Sequence, residues 1–196
     1  MLSEDDGKKL VKLARQTVED NLKNKKPVLK KTEYNKKNGV FVSIHNYPDY
    51  ELRGCIGYPY PILVLGEALQ RASVSAAFED PRFPPLTEEE LDNVIFEISV
   101  LTEPELIVVK NPKEYLKKIE IGKDGLIAEY GFNKGLLLPQ VPLEFEPKWD
   151  SETFLCQTCV KCGLLPDTWL DPKIKIYKFQ AQIFKEKTPR GEIIQT

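Results

Sequence analysis

Histidine and methionine each occur once in 196 residues, cysteine four times, and no stretch approaches the roughly 18 consecutive apolar residues that a membrane-spanning helix needs. The first twelve residues carry Glu4, Asp5 and Asp6 against Lys8, Lys9 and Lys12, with no apolar signal-peptide core. A soluble, cytoplasmic chain is expected. A strong charge of either sign is also missing: 28 Lys plus Arg against 30 Asp plus Glu leave a net charge of -2, which disfavours a bulk electrostatic nucleic-acid binder. No P-loop, G-x-G-x-x-G, H-E-x-x-H or G-x-S-x-G pattern occurs, so nucleotide hydrolysis, dinucleotide redox chemistry and serine hydrolysis lose their recognisable machinery. With one histidine, any Cys–His mechanism must use His45.

Hydrophobic residues make up 41% of the chain, enough for a packed core. Residues 3–22 have Leu10, Leu13, Ala14, Val18 and Leu22 at helical spacing behind Ser3 as cap. Residues 23–37 hold seven lysines and read as an exposed connection. A hairpin is expected from residues 40–45 and 51–57 around the turn formers Asn46, Pro48 and Asp49. A helix over 61–77 ends at the Pro81 and Pro84 break, and Thr87 with Glu90 marks a capping box before a strand over 94–101. Further on, a short strand over 107–109, a helix from Asn111 to about 119, paired strands over 125–130 and 135–138, and a helix between Asp150 and Gly163 are expected. Residues 174–184 read as one long strand, followed by a loose tail after about 185. Hairpins rather than repeated βαβ units make this α+β, with antiparallel β-sheet packed against helices.

The segment Leu52-Arg53-Gly54-Cys55-Ile56-Gly57 stands out. Two glycines inside a strand mark a bulge or a close approach by another backbone or a ligand. Period two puts Arg53 and Cys55 on one face, where an arginine would favour the thiolate. The alternative is a small buried Cys55 beside an ion-paired Arg53. A five-residue loop that pairs His45 with Glu51 sets Cys55 opposite Phe41 and about 13 Å from His45, and a four-residue loop turns His45 to the other side, so a base for Cys55 is sought in Glu79, Asp80 or Glu97. The charged Glu79-Asp80-Pro81-Arg82 turn is equally readable as an ion-paired lock.

These motifs resemble the AMMECR family, named after the Alport syndrome, midface hypoplasia and elliptocytosis chromosomal region, in a prokaryotic-type single-domain form. LRGCIG is similar to the family's six-residue signature, and residues 77–86, AFEDPRFPPL, resemble the family's AAFEDPRFPPL block. Residues 97–101 (EISVL), 135–141 (GLLLPQV) and 149–164 are similar to further blocks in the family's order. The resemblance implies a single domain over 1–196 with two lobes of unequal size and LRGCIG near a cleft between them. It implies no particular reaction; roles in nucleic-acid transactions or as a protein adaptor are the ones suggested. Some prokaryotic members are fused to, or encoded beside, a Memo-type protein and a radical S-adenosylmethionine protein.

In the last block a cysteine like Cys159 is usual in the family, whereas Cys156 and Cys162 stand where it usually has other residues, and the three together invite a metal reading. On a helix, however, Cys156 and Cys162 end about 120° apart around the axis and about 9 Å apart along it. Leu155, Cys159 and Cys162 should form a core-facing stripe with Cys156 on its flank. No metal or cofactor is expected.

Two functional readings follow. The first is a binding or adaptor module for a small molecule, peptide or protein, using Arg53, Gly54, Cys55, Gly57 and Arg82. The second is an enzyme or enzyme accessory with Cys55 as nucleophile and Glu79 or Asp80 as acid/base, in a pathway with Memo-type and radical S-adenosylmethionine proteins. Nucleic acid is not favoured as a partner, and a membrane is excluded.

Overall fold

A computed structural model describes residues 2–24 and 29–196. Part of the lysine-rich connection, residues 25–28, lies outside the described residues. The fold is α+β, with four α-helices and two sheets among the described residues, and the chain divides into two compact units.

The first unit comprises residues 1–101 and 182–196. Helix α1 (Glu4–Asn24) starts where Ser3 Oγ accepts the Asp6 N–H at 3.1 Å, and it buries Leu10, Val11, Ala14 and Val18 completely. Strands β1 (Gly39–Asn46) and β2 (Leu52–Tyr58) form the expected hairpin. Helix α2 (Leu65–Phe78) begins four residues later than the periodicity suggests. Its buried Ala68, Ala72 and Ala76 let its backbone lie close to the sheet. Thr87 and Glu90 make the capping contact, Thr87 N–H to Glu90 Oε2 at 2.8 Å, but only a single 3-10 turn, Leu91–Asn93, follows before β3 (Val94–Leu101). On β1 and β3, Val40, Val42, Ile44, Phe96, Ile98 and Val100 face the helices and form the core with them. The opposite face of β1 therefore carries Phe41, Ser43 and His45.

The second unit comprises residues 102–181. It holds β4 (Glu105–Leu106), α3 (Tyr115–Lys118), β5 (Gly125–Tyr130), β6 (Asn133–Leu137), α4 (Ser151–Lys161) and β7 (Lys175–Phe179), with sheet order β4-β7-β5-β6. Asp150 caps α4 by accepting the Thr153 N–H, and Gly163, at φ +75°, terminates it. The cysteine stripe packs as its spacing implies: Leu155, Cys159 and Cys162 are buried, and Cys156 is half-buried. Burial pushes the Cys159 thiol up to about 12, and the Cys162 thiol donates to Ala128 O at 3.0 Å.

Two expectations near the C-terminus need correction. Residues 174–184 are not one strand. The chain leaves the ladder at Gln180, whose N–H and C=O bond Thr102 at 2.9 and 2.8 Å, so β7 ends and β8 (Ala181–Glu186) joins the other sheet, in the order β2-β1-β3-β8-β9. Nor is the tail loose. Strand β9 (Ile193–Gln195) pairs with β8 and buries Ile193, while Arg190 bonds Glu19 and Asp92.

Candidate functional site around Cys55

The hairpin register differs from a strict ladder. Ser43 pairs with Cys55 and Ile44 with Gly54, but His45 pairs with Leu52, so Arg53 is the extra residue of a β-bulge. The longer turn, which pairs His45 with Leu52 rather than Glu51, and the bulge each contribute one residue, so Cys55 lies two residues along from the expected Phe41 pairing. The bulge also turns Arg53 into a bidentate pair with Glu90, at 2.7 and 3.2 Å, with the Phe83 ring 6.0 Å from its guanidinium carbon. Arg53 is buried, and its hydrogen bonds hold the Glu90 carboxyl below the usual range. The arginine whose charge acts on Cys55 is Arg82, not Arg53.

Both glycines of the segment have a packing cause. A Cβ on Gly54 would come 2.1 Å from Ala76 O of α2, and one on Gly57 would meet the Phe41 ring and Val40 O at 2.4 Å. The close approach is by α2 and β1, and it fixes β2 against both.

Strand β2 lies at the sheet edge, and at Cys55 that edge is closed by the Asp80 turn. The Cys55 N–H donates to Asp80 Oδ2 at 2.9 Å, and Arg82 Nη2 donates to Cys55 O at 3.2 Å. Arg82 also grips both Asp80 oxygens, at 2.9 and 2.7 Å. That grip, helped by the Cys55 N–H, brings the buried Asp80 carboxyl down to about 2. Because Cys55 sends its N–H and C=O outward, its side chain meets Ser43 across a non-hydrogen-bonded pair, where side chains come closest. The Ser43 hydroxyl donates to Cys55 Sγ at 3.2 Å. Burial nevertheless raises the thiol, against the lowering effects of Ser43 and Arg82.

Across β1, Ser43 also pairs with Glu97 of β3, so Cys55, Ser43 and Glu97 form one row over three strands. Glu97 accepts the Tyr50 hydroxyl at 2.5 Å, and Lys185 donates to that hydroxyl at 3.1 Å while sitting 4.4 Å from the Tyr50 ring centre. Tyr50, at φ +60°, stacks on His45 with ring centres 4.2 Å apart. The His45 Nδ1 lies 3.3 Å from Tyr50 O, its Nε2 is buried without a hydrogen-bond partner, and burial lowers its pKa. The structure thus gathers Cys55, Arg82 and Asp80, and adds Ser43, Tyr50 and Lys185. Glu79 is held elsewhere, accepting from Ser75 Oγ at 2.6 Å. Strand alternation puts Ser43 beside His45, but Tyr50 and Lys185 carry no sequence signal. Among the described residues, no group of three or more His, Cys, Asp or Glu is arranged to hold a metal ion.

A family model described as AMMECR1 matches residues 11–184. The chain belongs to the AMMECR1 family. Protein MJ0810 of Methanocaldococcus jannaschii is 54% identical over 197 residues, covering 100% of this chain and 97% of that one. Protein TK0174 of Thermococcus kodakarensis is 50% identical over 194 residues, covering 95% and 93%. The crystal structure of the uncharacterized protein PH0010 from Pyrococcus horikoshii is similar with a TM-score of 0.93 at 49% identity, covering 100% of this chain and 98% of that one. The LRGCIG segment and the Asp80 turn, both within the matched residues, meet at Cys55. No helix among the described residues is long and apolar enough to cross a membrane.

Proposed function

We propose that this AMMECR1 protein is a binding module whose Cys55–Ser43–Glu97 face recognises a small molecule, peptide or protein without covalent chemistry. One observation carries the reading: the carboxylate nearest Cys55, that of Asp80, bonds its main-chain N–H and Arg82 rather than its thiol. A general base must reach the proton it removes, and Asp80, held near 2, is a poor acceptor. The polar partner of Sγ is a hydroxyl, and burial keeps the thiol protonated at neutral pH. Arg53 and Arg82 serve the frame of the site, since each is committed to a carboxylate. Free cysteines suit a reducing cytoplasm.

The test is iodoacetamide labelling of the folded chain at a series of pH values, with Cys55 followed by peptide mass. Labelling should set in only above the ordinary thiol value of about 8.5. Fast labelling of Cys55 at pH 6 to 7 would reveal a resting thiolate and move the assignment to a cysteine-dependent enzyme.

A further inference from the structure

We propose that the free edge of β4, in the second unit, is a docking site for an extended acidic peptide segment of a partner protein, added as a fifth strand. The site is independent of the Cys55 face.

Strand β4 is the terminal strand of its sheet, pairing with β7 through Glu105 with Lys178 and Leu106 with Tyr177. The Ile107 N–H donates to Ile176 O at 2.9 Å, so Ile107 turns its main-chain groups toward β7. Alternation then turns those of Leu106 and Val108 toward the open edge. Lys118 Nζ takes the Val108 carbonyl at 2.7 Å. Leu106 N–H and C=O and the Val108 N–H remain for an incoming strand.

The side chains agree. Ile107 is buried in the core of the unit, whereas Leu106 and Val108, one period apart on the other face, are 48% and 72% exposed. Natural edges are normally blunted by charge, proline or a cover. Here two apolar residues occupy the edge, and two cavities of about 210 and 330 Å³ adjoin it, both lined by Leu106, Ile107 and Val108. An added strand that supplies main-chain hydrogen bonds and places alternate side chains in pockets is the β-augmentation mode of recognition.

Charge selects the occupant. The cavity walls bring Lys110, Lys118, Lys175 and Lys178 against Glu105 and Asp171; Lys178 is already paired with the buried Asp124 at 3.3 Å, so Lys110, Lys118 and Lys175 supply the positive charge. Asp171 already accepts the Tyr130 hydroxyl and the Lys173 N–H. In a chain of net charge -2, this excess of lysine around an apolar edge fits a strand of apolar residues alternating with aspartate or glutamate.

The probe is a fluorescein-labelled peptide of about nine residues alternating valine with glutamate, titrated with the full chain and read by anisotropy. A second peptide has lysine in place of glutamate. The acidic peptide should bind in the micromolar range and weaken as salt rises, and the lysine peptide should not bind. Val108→Pro removes an outward N–H that the β4–β7 ladder does not use, and should weaken binding by about tenfold or more. Should that variant fold poorly, Val108→Glu, a change at a 72% exposed position, should repel the acidic peptide with an unchanged melting temperature. Equal affinity of both peptides, or of wild type and variants, or no binding of the acidic peptide at millimolar concentration, would overturn the proposal. A concentration-dependent dimer abolished by Val108→Glu would also overturn it, assigning the edge to a second copy of the chain.

Discussion

Asp80 holds Cys55 by its backbone, accepting its N–H at 2.9 Å while Arg82 returns a hydrogen bond to its carbonyl. The turn therefore acts as a surrogate strand at the β2 edge, and its charge serves position before chemistry. Its effect on stability has a definite sign with pH. Asp80 sits at about 2 in the folded chain against an ordinary 3.8, so the unfolded chain binds the proton first as pH falls. The stabilisation is complete above about pH 4 and is lost on descending toward 2, amounting to about 2 kcal/mol. Urea melts between pH 5 and 2 should show this loss, and Asp80→Asn should be less stable at pH 7 with a flatter dependence.

Gly54→Ala should cost about 1–3 kcal/mol or more, because the added Cβ meets a main-chain oxygen, Ala76 O at 2.1 Å, and either β2 or α2 must shift. Chemical denaturation measures the cost. A neutral result would mean that α2 can retreat without loss of packing.

The buried pair of Arg15 and Glu186 ties α1 to β8 at 2.7 and 2.5 Å, and each partner also closes main-chain groups: Leu91 O and Val94 O for Arg15, Phe96 N–H for Glu186. Arg15→Ala leaves a buried carboxylate without its cation and should destabilise by about 3–5 kcal/mol in thermal or urea unfolding. The double variant Arg15→Met with Glu186→Leu should recover part of that loss.

Within α4, Cys159→Ala should cost on the order of 1 kcal/mol, since its thiol is fully buried, and Cys156→Ala should cost less at its half-buried position. Chelator should not change either unfolding curve. Stoichiometric zinc or iron in protein purified without added metal, with unfolding on chelation, would instead make the cysteines ligands.

Local chemistry was legible without coordinates wherever it is decided within a few residues. The amphipathic spacing of α1, its Ser3 cap, the Asp150 and Gly163 limits of α4 and the alternation of β1 all follow from side-chain size, polarity and φ preference. The α+β class followed from the hairpins, and the stripe of Leu155, Cys159 and Cys162 from helical period alone. The string LRGCIG also carried the family by resemblance.

What needed the tertiary structure is what depends on register and on partners far along the chain. A turn that pairs His45 with Leu52 rather than Glu51 and one inserted residue at Arg53 each shift the register by one position, so that Cys55 meets Ser43 instead of Phe41, and period two reveals neither. Gln180 splits a run of strand-like residues because Thr102, 78 positions away, takes its main-chain groups. Tyr50 and Lys185 reach Glu97 across 47 and 88 positions of sequence or through one another, where no local pattern exists. The sequence by itself determined the periodic elements such as α1, β1 and α4, the faces they bury and the family by resemblance; the fold decided where the last strands break and pair and which polar groups meet, because hydrogen bonds and ion pairs between distant segments are selected only when packing has fixed their geometry.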